Sequence, residues 1–126
     1  MMRRIVSVAV AAATILGVSA CGGNGVSSPS DPVGSSAPPA GAIVINVVGI
    51  NGAQSFSPNP ATVPAGQLVS WHNVDTVTHR VVFNDGELDT GNIAPGAFTA
   101  AMGLVAPGSY HCSIHPPMVG TIVGGQ

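Results

Sequence analysis

Beyond residue 41, short runs rich in β-branched residues alternate with clusters of Pro, Gly and Asn. No segment there keeps the 3.6-residue apolar period of a capped helix, so the pattern predicts strands joined by turns. The predicted strands cover residues 42–49, 67–73, 77–84, a weaker run at 97–102, then 109–114 and 121–123. We therefore interpret residues 42–126 as one all-β domain, a sandwich or barrel.

The direction of each side chain follows from its position in the strand, because successive residues face opposite sides of a sheet. In the third predicted strand, the apolar face carries His79. In the fifth, one face carries Tyr110, Cys112 and Ile114. An imidazole and a thiol on two different strands are therefore both predicted to point into the domain.

The other two strand histidines are predicted to face away from the interior. His72 lies on the opposite face from Trp71, and His111 on the opposite face from the cysteine that follows it. Both are interpreted as polar residues on the exposed face of a half-buried strand. His79, taken alone, would more often be a hydrogen-bonded core histidine than a metal ligand.

The loop after Cys112 brings two more metal-binding side chains close to the thiol. It reads C-S-I-H-P-P-M, so His115 and Met118 follow within six residues. Alone, His115 would be a loop residue and Met118 packing material. Together with His79, they make a set of one thiolate, two imidazoles and one thioether. Calcium, magnesium and zinc have little use for a thioether, whereas Cys with two His and a distant axial Met suits copper.

The motifs around these residues resemble those of the type I blue-copper proteins, or cupredoxins, especially amicyanin and plastocyanin. The resemblance covers nearly all of residues 43–123. Four segments carry it: F-S-P-N-P-A-T-V-P-A-G (56–66), V-S-W-H-N (69–73) with Asp75 and His79 after it, P-G-S-Y-H-C (107–112) and C-S-I-H-P-P-M (112–118). The spacing Cys-x2-His-x2-Met is similar to the short ligand loop of amicyanin.

The resemblance implies a Greek-key β-sandwich or barrel that binds one type I copper ion. The implied ligands are His79, Cys112, His115 and the axial Met118. It also implies that electrons pass through His115, whose ring edge would reach the surface beside Pro116 and Pro117. Transient redox partners would dock there, and a monomer is expected.

Two positions in the motifs deserve separate expectations. Many cupredoxins have an asparagine after the first histidine ligand, and its side chain helps to tie the two ligand-bearing segments together. This chain has Arg80 there, so that link is not expected in the same form. Tyr110, two residues before Cys112, resembles the tyrosine-corner position of Greek-key sandwiches, which implies a structural role.

The N-terminal part predicts export and membrane attachment. Residues 1–20 have a basic start and an apolar run too short to span a bilayer, as in a signal peptide. Val18-Ser19-Ala20-Cys21 resembles the lipobox of bacterial lipoproteins, which implies a lipid on Cys21; the alternative is an ordinary cleaved signal. Residues 21–41 are rich in Gly, Ser and Pro and are interpreted as a flexible tether. The hypothesis places the protein at the extracytoplasmic (periplasmic) face of the cell membrane.

Charge and cysteine content narrow the function further. Without residues 1–20, one basic residue, Arg80, remains against five acidic ones, a formal charge of −4. Nucleic-acid binding needs a basic footprint and is not expected. If Cys21 carries a lipid, Cys112 is the single remaining cysteine and has no internal disulfide partner.

The leading hypothesis is a non-enzymatic carrier of single electrons between extracytoplasmic redox partners by Cu(I)/Cu(II) cycling. The alternative is a lipoprotein that binds or delivers copper without redox cycling. Multicopper oxidases and nitrite reductases need further histidines, typically an H-x-H pair, and the chain contains no H-x-H. A cysteine hydrolase would need an accessible, activated thiolate, whereas Cys112 is predicted to point inward. A metal-free adhesive lipoprotein remains the simplest alternative.

Overall fold

The computed structural model describes residues 34–126. The predicted signal peptide, Cys21 and residues 22–33 lie outside the described part. Within it, eight strands and one 3₁₀ turn (Gly52–Gln54) follow one another along the chain. The strands are β1 (Ile43–Val47), β2 (Phe56–Ser57), β3 (Ala61–Pro64), β4 (Leu68–Asn73), β5 (Val81–Phe83), β6 (Met102–Gly103), β7 (Ser109–Cys112) and β8 (Val119–Gly125).

The strands form two four-stranded sheets that pack face to face, which confirms the predicted all-β sandwich. One sheet has the order β2-β1-β4-β6 and the other β3-β8-β7-β5. The pairs β1–β4 and β3–β8 are parallel, and the remaining pairs are antiparallel. Parallel pairs need long connections, so each joins segments that are distant along the chain.

The core consists of the inward residues of alternating strand positions, as the sequence pattern predicts. Side chains with no solvent exposure come from both sheets: Ile45, Val47, Val69, Trp71, Val81, Tyr110 and Cys112. Burying a large apolar side chain contributes about 1.5–3 kcal/mol to folding. The thiol therefore lies within the same interior that stabilises the sandwich.

An aromatic cluster joins the two sheets immediately below the cysteine. The ring of Tyr110 lies 4.8 Å from Phe56, 5.7 Å from Trp71 and 5.8 Å from Phe83, measured between centroids. Burial raises the pKa of the Tyr110 hydroxyl. Neither the Tyr110 hydroxyl nor Trp71 Nε1 has a hydrogen-bond partner among the described residues. The hydroxyl bond of a tyrosine corner is therefore not seen here, and the structural role implied for Tyr110 is packing among these rings.

The predicted strands all have counterparts, although several are shorter than expected. The predicted strand 77–84 begins only at Val81, because His79 pairs with Ile93 through a single bridge. The weak run at 97–102 overlaps the observed strand β6 (Met102–Gly103) only at Met102. Strands β2 and β3 were not predicted, since the prolines around them are typical of turns.

Part of the segment interpreted as a tether lies against the sandwich. The N–H of Ser35 donates to the Phe98 carbonyl at 3.0 Å, and the N–H of Phe98 donates to the Ser35 carbonyl at 2.8 Å. The boundary at residue 42 and the signal peptide stay predictions. Within residues 34–126, no helix has the length and apolar character needed to cross a membrane.

Candidate metal centre

His79 is held in the interior by the main chain of a distant segment. Its N–H donates to the Ile93 carbonyl at 3.1 Å, and the Ile93 N–H donates to the His79 carbonyl at 2.7 Å. The imidazole has no solvent exposure, whereas the next residue, Arg80, is exposed. The inward direction predicted for His79 is therefore confirmed.

Cys112 is the last residue of β7, and the main chain of Arg80 connects it to the His79 segment. The N–H of Arg80 lies 3.5 Å from Cys112 Sγ, in position to donate to the thiolate. The Arg80 carbonyl accepts a hydrogen bond from the N–H of Ser113 at 2.9 Å. Main-chain atoms thus supply the link between the two ligand-bearing segments that the Arg80 side chain was not expected to give.

The side chain of Arg80 turns outward to Asp89. Its Nε donates to Oδ1 of Asp89 at 2.8 Å, and its Nη2 contacts Oδ2. Hydrogen bonding to Arg80 lowers the pKa of the Asp89 carboxyl, and the same bond raises the pKa of Arg80. This bidentate pair fixes the side chain on the surface, away from the thiol.

The loop after β7 folds back onto the cysteine through two hydrogen bonds. The N–H of Met118 donates to the His115 carbonyl, and the N–H of Cys112 donates to the Met118 carbonyl, both at 3.0 Å. Pro116 and Pro117 lack an N–H and have a fixed φ, which suits a tight loop with few main-chain donors to satisfy. Met118 has no solvent exposure and His115 is partly exposed.

Three donor atoms converge at one point in this pocket. Cys112 Sγ lies 3.7 Å from His79 Nδ1 and 3.7 Å from His115 Nδ1, and the two Nδ1 atoms are 3.3 Å apart. A triangle with these sides has its centre about 2 Å from each corner, which matches protein metal–nitrogen lengths of roughly 2.0–2.1 Å and metal–sulfur lengths of roughly 2.3 Å. An ion at that centre would have three donors in one plane. Trigonal Cys-His-His coordination is typical of blue-copper sites, whereas zinc prefers a tetrahedron.

The loop between β4 and His79 is organised by the side chain of Asn73. Its Nδ2 donates to the carbonyls of Val77 at 2.8 Å and Ile93 at 2.9 Å, and its Oδ1 accepts from the N–H of Asp75 at 3.0 Å. Asn73 is fully buried. One amide therefore ties together the loop that precedes His79 and the segment that pairs with it.

The outer nitrogen of His79 has a carboxylate partner. His79 Nε2 lies 2.9 Å from Asp75 Oδ2, and Asp75 Oδ1 accepts from the N–H of Thr76 at 2.7 Å. Hydrogen bonding from His79, and then from Thr76, lowers the pKa of the Asp75 carboxyl. Asp75 belongs to one of the sequence motifs, but its contact with His79 was not predicted. An acidic residue four positions before a candidate histidine ligand was the available signal.

The remaining histidines lie outside the cluster, in agreement with their predicted outward direction. The ring of His72 stacks on Phe98 with centroids 3.8 Å apart. His111 Nδ1 is 2.7 Å from Asn84 Oδ1. In the part of the chain that the structure describes, His79, Cys112 and His115 form the one group of three or more His, Cys, Asp or Glu residues close enough to hold a metal ion.

The loops at the end of the sandwich that carries Cys112 and His115 contain several exposed apolar side chains. The parallel strands β1 and β4 both end here, and the Val74 N–H donates to the Val47 carbonyl at 3.0 Å. We define the apolar end as the exposed residues of these loops and of the loop after β7: Val48, Ile50, Val74, Val77, Ile114, Pro116 and Pro117. His115, in the last of these loops, is partly exposed.

Solved structures with a similar fold include amicyanins, one of them a Cu(I) form, and a purple cupredoxin. A reduced amicyanin variant superposes with a TM-score of 0.60 at 24% identity, over 75% of this chain and 92% of that one. Amicyanin from Paracoccus versutus gives 0.58 at 22% identity, over 75% and 92% of the two chains. A purple cupredoxin from Nitrosopumilus maritimus gives 0.55 at 24% identity, over 65% and 98%. The fold is that of the cupredoxins.

No protein-family model and no curated protein matches the chain. The cupredoxin resemblance inferred from the motifs is nevertheless confirmed by the fold. The cupredoxin fold, together with the His-Cys-His cluster, is consistent with one type I copper ion. That His79, Cys112, His115 and Met118 act as its ligands stays a prediction. The donor triangle supports it for the two histidines and the cysteine, and Met118 is a fully buried residue of the same loop.

Proposed function

We propose that this protein is a mononuclear type I copper protein that carries single electrons between redox partners outside the cytoplasm. The observation that carries the proposal is the donor triangle of His79, Cys112 and His115 inside a cupredoxin fold. Bound copper would supply one-electron chemistry, and the residues that would hold it are His79, Cys112, His115 and Met118. The protein's own part is to keep the donors in place during the change of charge.

The surroundings of each donor support a carrier that moves little when an electron arrives. His79 is fixed through its main chain by Ile93, and Cys112 Sγ receives the Arg80 N–H. The Met118 carbonyl and the Cys112 N–H close the ligand loop. Because the donors are already within bonding range of one point, gaining or losing an electron requires little rearrangement of the chain.

The partly exposed imidazole of His115 is the proposed route for electrons. It links the interior thiolate with the apolar end, where a partner protein can approach the ring. Redox encounters bury small areas and must separate quickly, and an exposed apolar surface with few charges suits such brief contacts. We propose that transient redox partners dock there, against Pro116 and Pro117.

The experiment that tests the copper site is an optical and EPR spectrum of the purified protein with one equivalent of Cu(II). We expect an intense blue colour and the narrow copper hyperfine splitting of a type I site. The variant Cys112→Ser should bind copper without that colour, because the thiolate–copper transition is lost. A colourless complex of the unsubstituted protein would contradict the proposal.

We also propose that the protein is a membrane-anchored lipoprotein, on the basis of the segment Val18-Ser19-Ala20-Cys21. Expression in bacteria with radiolabelled fatty acid should label the protein, and Cys21→Ser should remove the label and release the protein from the membrane fraction. Labelling that persists in Cys21→Ser would refute the anchor without touching the proposed copper site.

A further inference from the structure

The two nitrogens of His79 have opposite surroundings. Nδ1 faces Cys112 Sγ at 3.7 Å, in the donor triangle, and Nε2 faces Asp75 Oδ2 at 2.9 Å. A neutral imidazole has one nitrogen that donates and one that accepts, and an ionised carboxylate accepts only. Asp75 therefore requires the proton on Nε2, which leaves the lone pair of Nδ1 directed at the metal position.

Asp75 is itself held in place by hydrogen bonds within its loop. Its Oδ1 accepts from the Thr76 N–H at 2.7 Å, and its own N–H donates to Asn73 Oδ1 at 3.0 Å. Asn73 also donates to Ile93, whose main chain pairs with His79. The carboxylate and the imidazole thus belong to one hydrogen-bonded loop, and the 2.9 Å contact results from its geometry.

The second imidazole of the triangle has no such support. Among residues 34–126, the polar contacts of the His115 ring are Cys112 Sγ and His79 Nδ1. The two histidines therefore differ in how they are held, although both present Nδ1. His79 is oriented from behind, and His115 is placed by the loop that carries it.

We infer that Asp75 is a positioning residue that fixes the tautomer and orientation of His79 and favours Cu(II) over Cu(I) at this site. The inference rests on the proposed copper site. A carboxylate hydrogen-bonded to Nε2 makes Nδ1 a stronger electron donor to the metal. Its negative charge also stabilises Cu(II) more than Cu(I), because Cu(II) has the higher positive charge. Asp75 thereby lowers the reduction potential of the centre.

The variant Asp75→Asn tests this, with Asp85→Asn as the matched control for loss of one negative charge. Asp85 is exposed, and its carboxylate accepts the Glu87 N–H in a turn at the other end of β5. Outer partners of metal-binding histidines typically contribute 10–100-fold in affinity, so we expect Asp75→Asn to weaken Cu(II) binding by about that factor. Each tenfold loss for Cu(II) beyond that for Cu(I) raises the potential by about 59 mV.

A second measurement reports on the imidazole itself and needs no copper. Long-range ¹H–¹⁵N spectra of the metal-free protein should show the Nε2–H tautomer for His79. This preference should weaken in Asp75→Ala and be largely restored in Asp75→Glu. An Nδ1–H tautomer in the unsubstituted protein would overturn the inference.

The copper measurements separate the inference from the proposed function. If the unsubstituted protein is blue and Asp75→Asn changes the potential no more than Asp85→Asn does, the inference fails while the electron-carrier proposal stands. If the unsubstituted protein never becomes blue, the function fails, and the spectra of the metal-free protein still decide whether Asp75 orients His79.

Discussion

The methyl group added by the substitution Gly120→Ala would clash with the ring of Tyr110. A Cβ at residue 120 would lie 2.3 Å from Cζ of Tyr110 and 2.5 Å from both Cε2 and the hydroxyl oxygen. Ordinary carbon contacts begin near 3.4 Å, so the ring or the strand has to move by about 1 Å. Tyr110 has no solvent exposure and contacts the rings of Phe56, Trp71 and Phe83. Overpacking a tight core costs about 1–3 kcal/mol, and we expect a value near the upper end.

Urea unfolding of the metal-free protein, followed by far-UV circular dichroism, measures this cost as a change in the free energy of unfolding. Gly124→Ala is the control, because residue 124 is in the same strand and the added Cβ would be 3.5 Å from the nearest atom, Pro107 Cγ. The control should change stability by no more than about 0.5 kcal/mol.

A double-substitution cycle identifies the clash as the cause. Leucine at position 110 lacks the ring atoms that the new methyl group would meet. In the Tyr110→Leu background, Gly120→Ala should therefore cost less than about 1 kcal/mol, which gives a coupling of about 2 kcal/mol. A cost of Gly120→Ala that is equal in both backgrounds, or no greater than that of Gly124→Ala, would refute the reasoning from Tyr110.

Three further results are expected. Tyr110→Phe should leave the free energy of unfolding unchanged or raise it by about 1 kcal/mol, because it removes a buried hydroxyl without a partner; a loss above 1 kcal/mol in urea would point to a bonded hydroxyl. Asp89→Asn should destabilise the protein at pH 7, because it removes the negative charge and one of the two acceptor oxygens that bind Arg80. The pKa of Asp89 is lowered from 3.8, so the stabilisation by this pair is present above pH 3.8 and is lost as the pH falls below that value. Unfolding curves of both proteins at pH 7 and at acid pH test this prediction. An equal loss of stability at the two pH values would contradict it. Copper bound to the protein should exchange with a chelator far more slowly than an electron exchanges with a small-molecule oxidant; stopped-flow absorbance compares the two, and the opposite order would favour copper delivery.

The inward direction of the donors could be predicted because it depends on local alternation. Within β7, Tyr110 and Cys112 are both fully buried while His111 is partly exposed, as the period of two requires. The same rule failed for Ile114, which was assigned to the inward face but is 45% exposed. The strand ends at Cys112, and alternation has no meaning in the loop that follows.

Features that depend on contacts between distant segments could not be predicted from the sequence pattern. Strands β2 and β3 contain or adjoin prolines, and their pairing with β1 and β8 outweighs the turn character of these residues. The support of His79 by Ile93 and Asp75 depends on how the loop folds after β4. Tyr110 was assigned a role from its position in a motif, whereas the packing around its hydroxyl decides what it does.

The order of the strands along the chain limits the stage of synthesis at which the proposed metal pocket can form. The ligand loop is followed by β8, which pairs with β7 on one side and with the distant β3 on the other. During synthesis the proposed ligands therefore leave the ribosome before β8, the strand that holds their loop against the sandwich. A polypeptide threaded unfolded through a translocation channel would carry no assembled pocket, and it would capture its ion only after the final strand has docked on the far side.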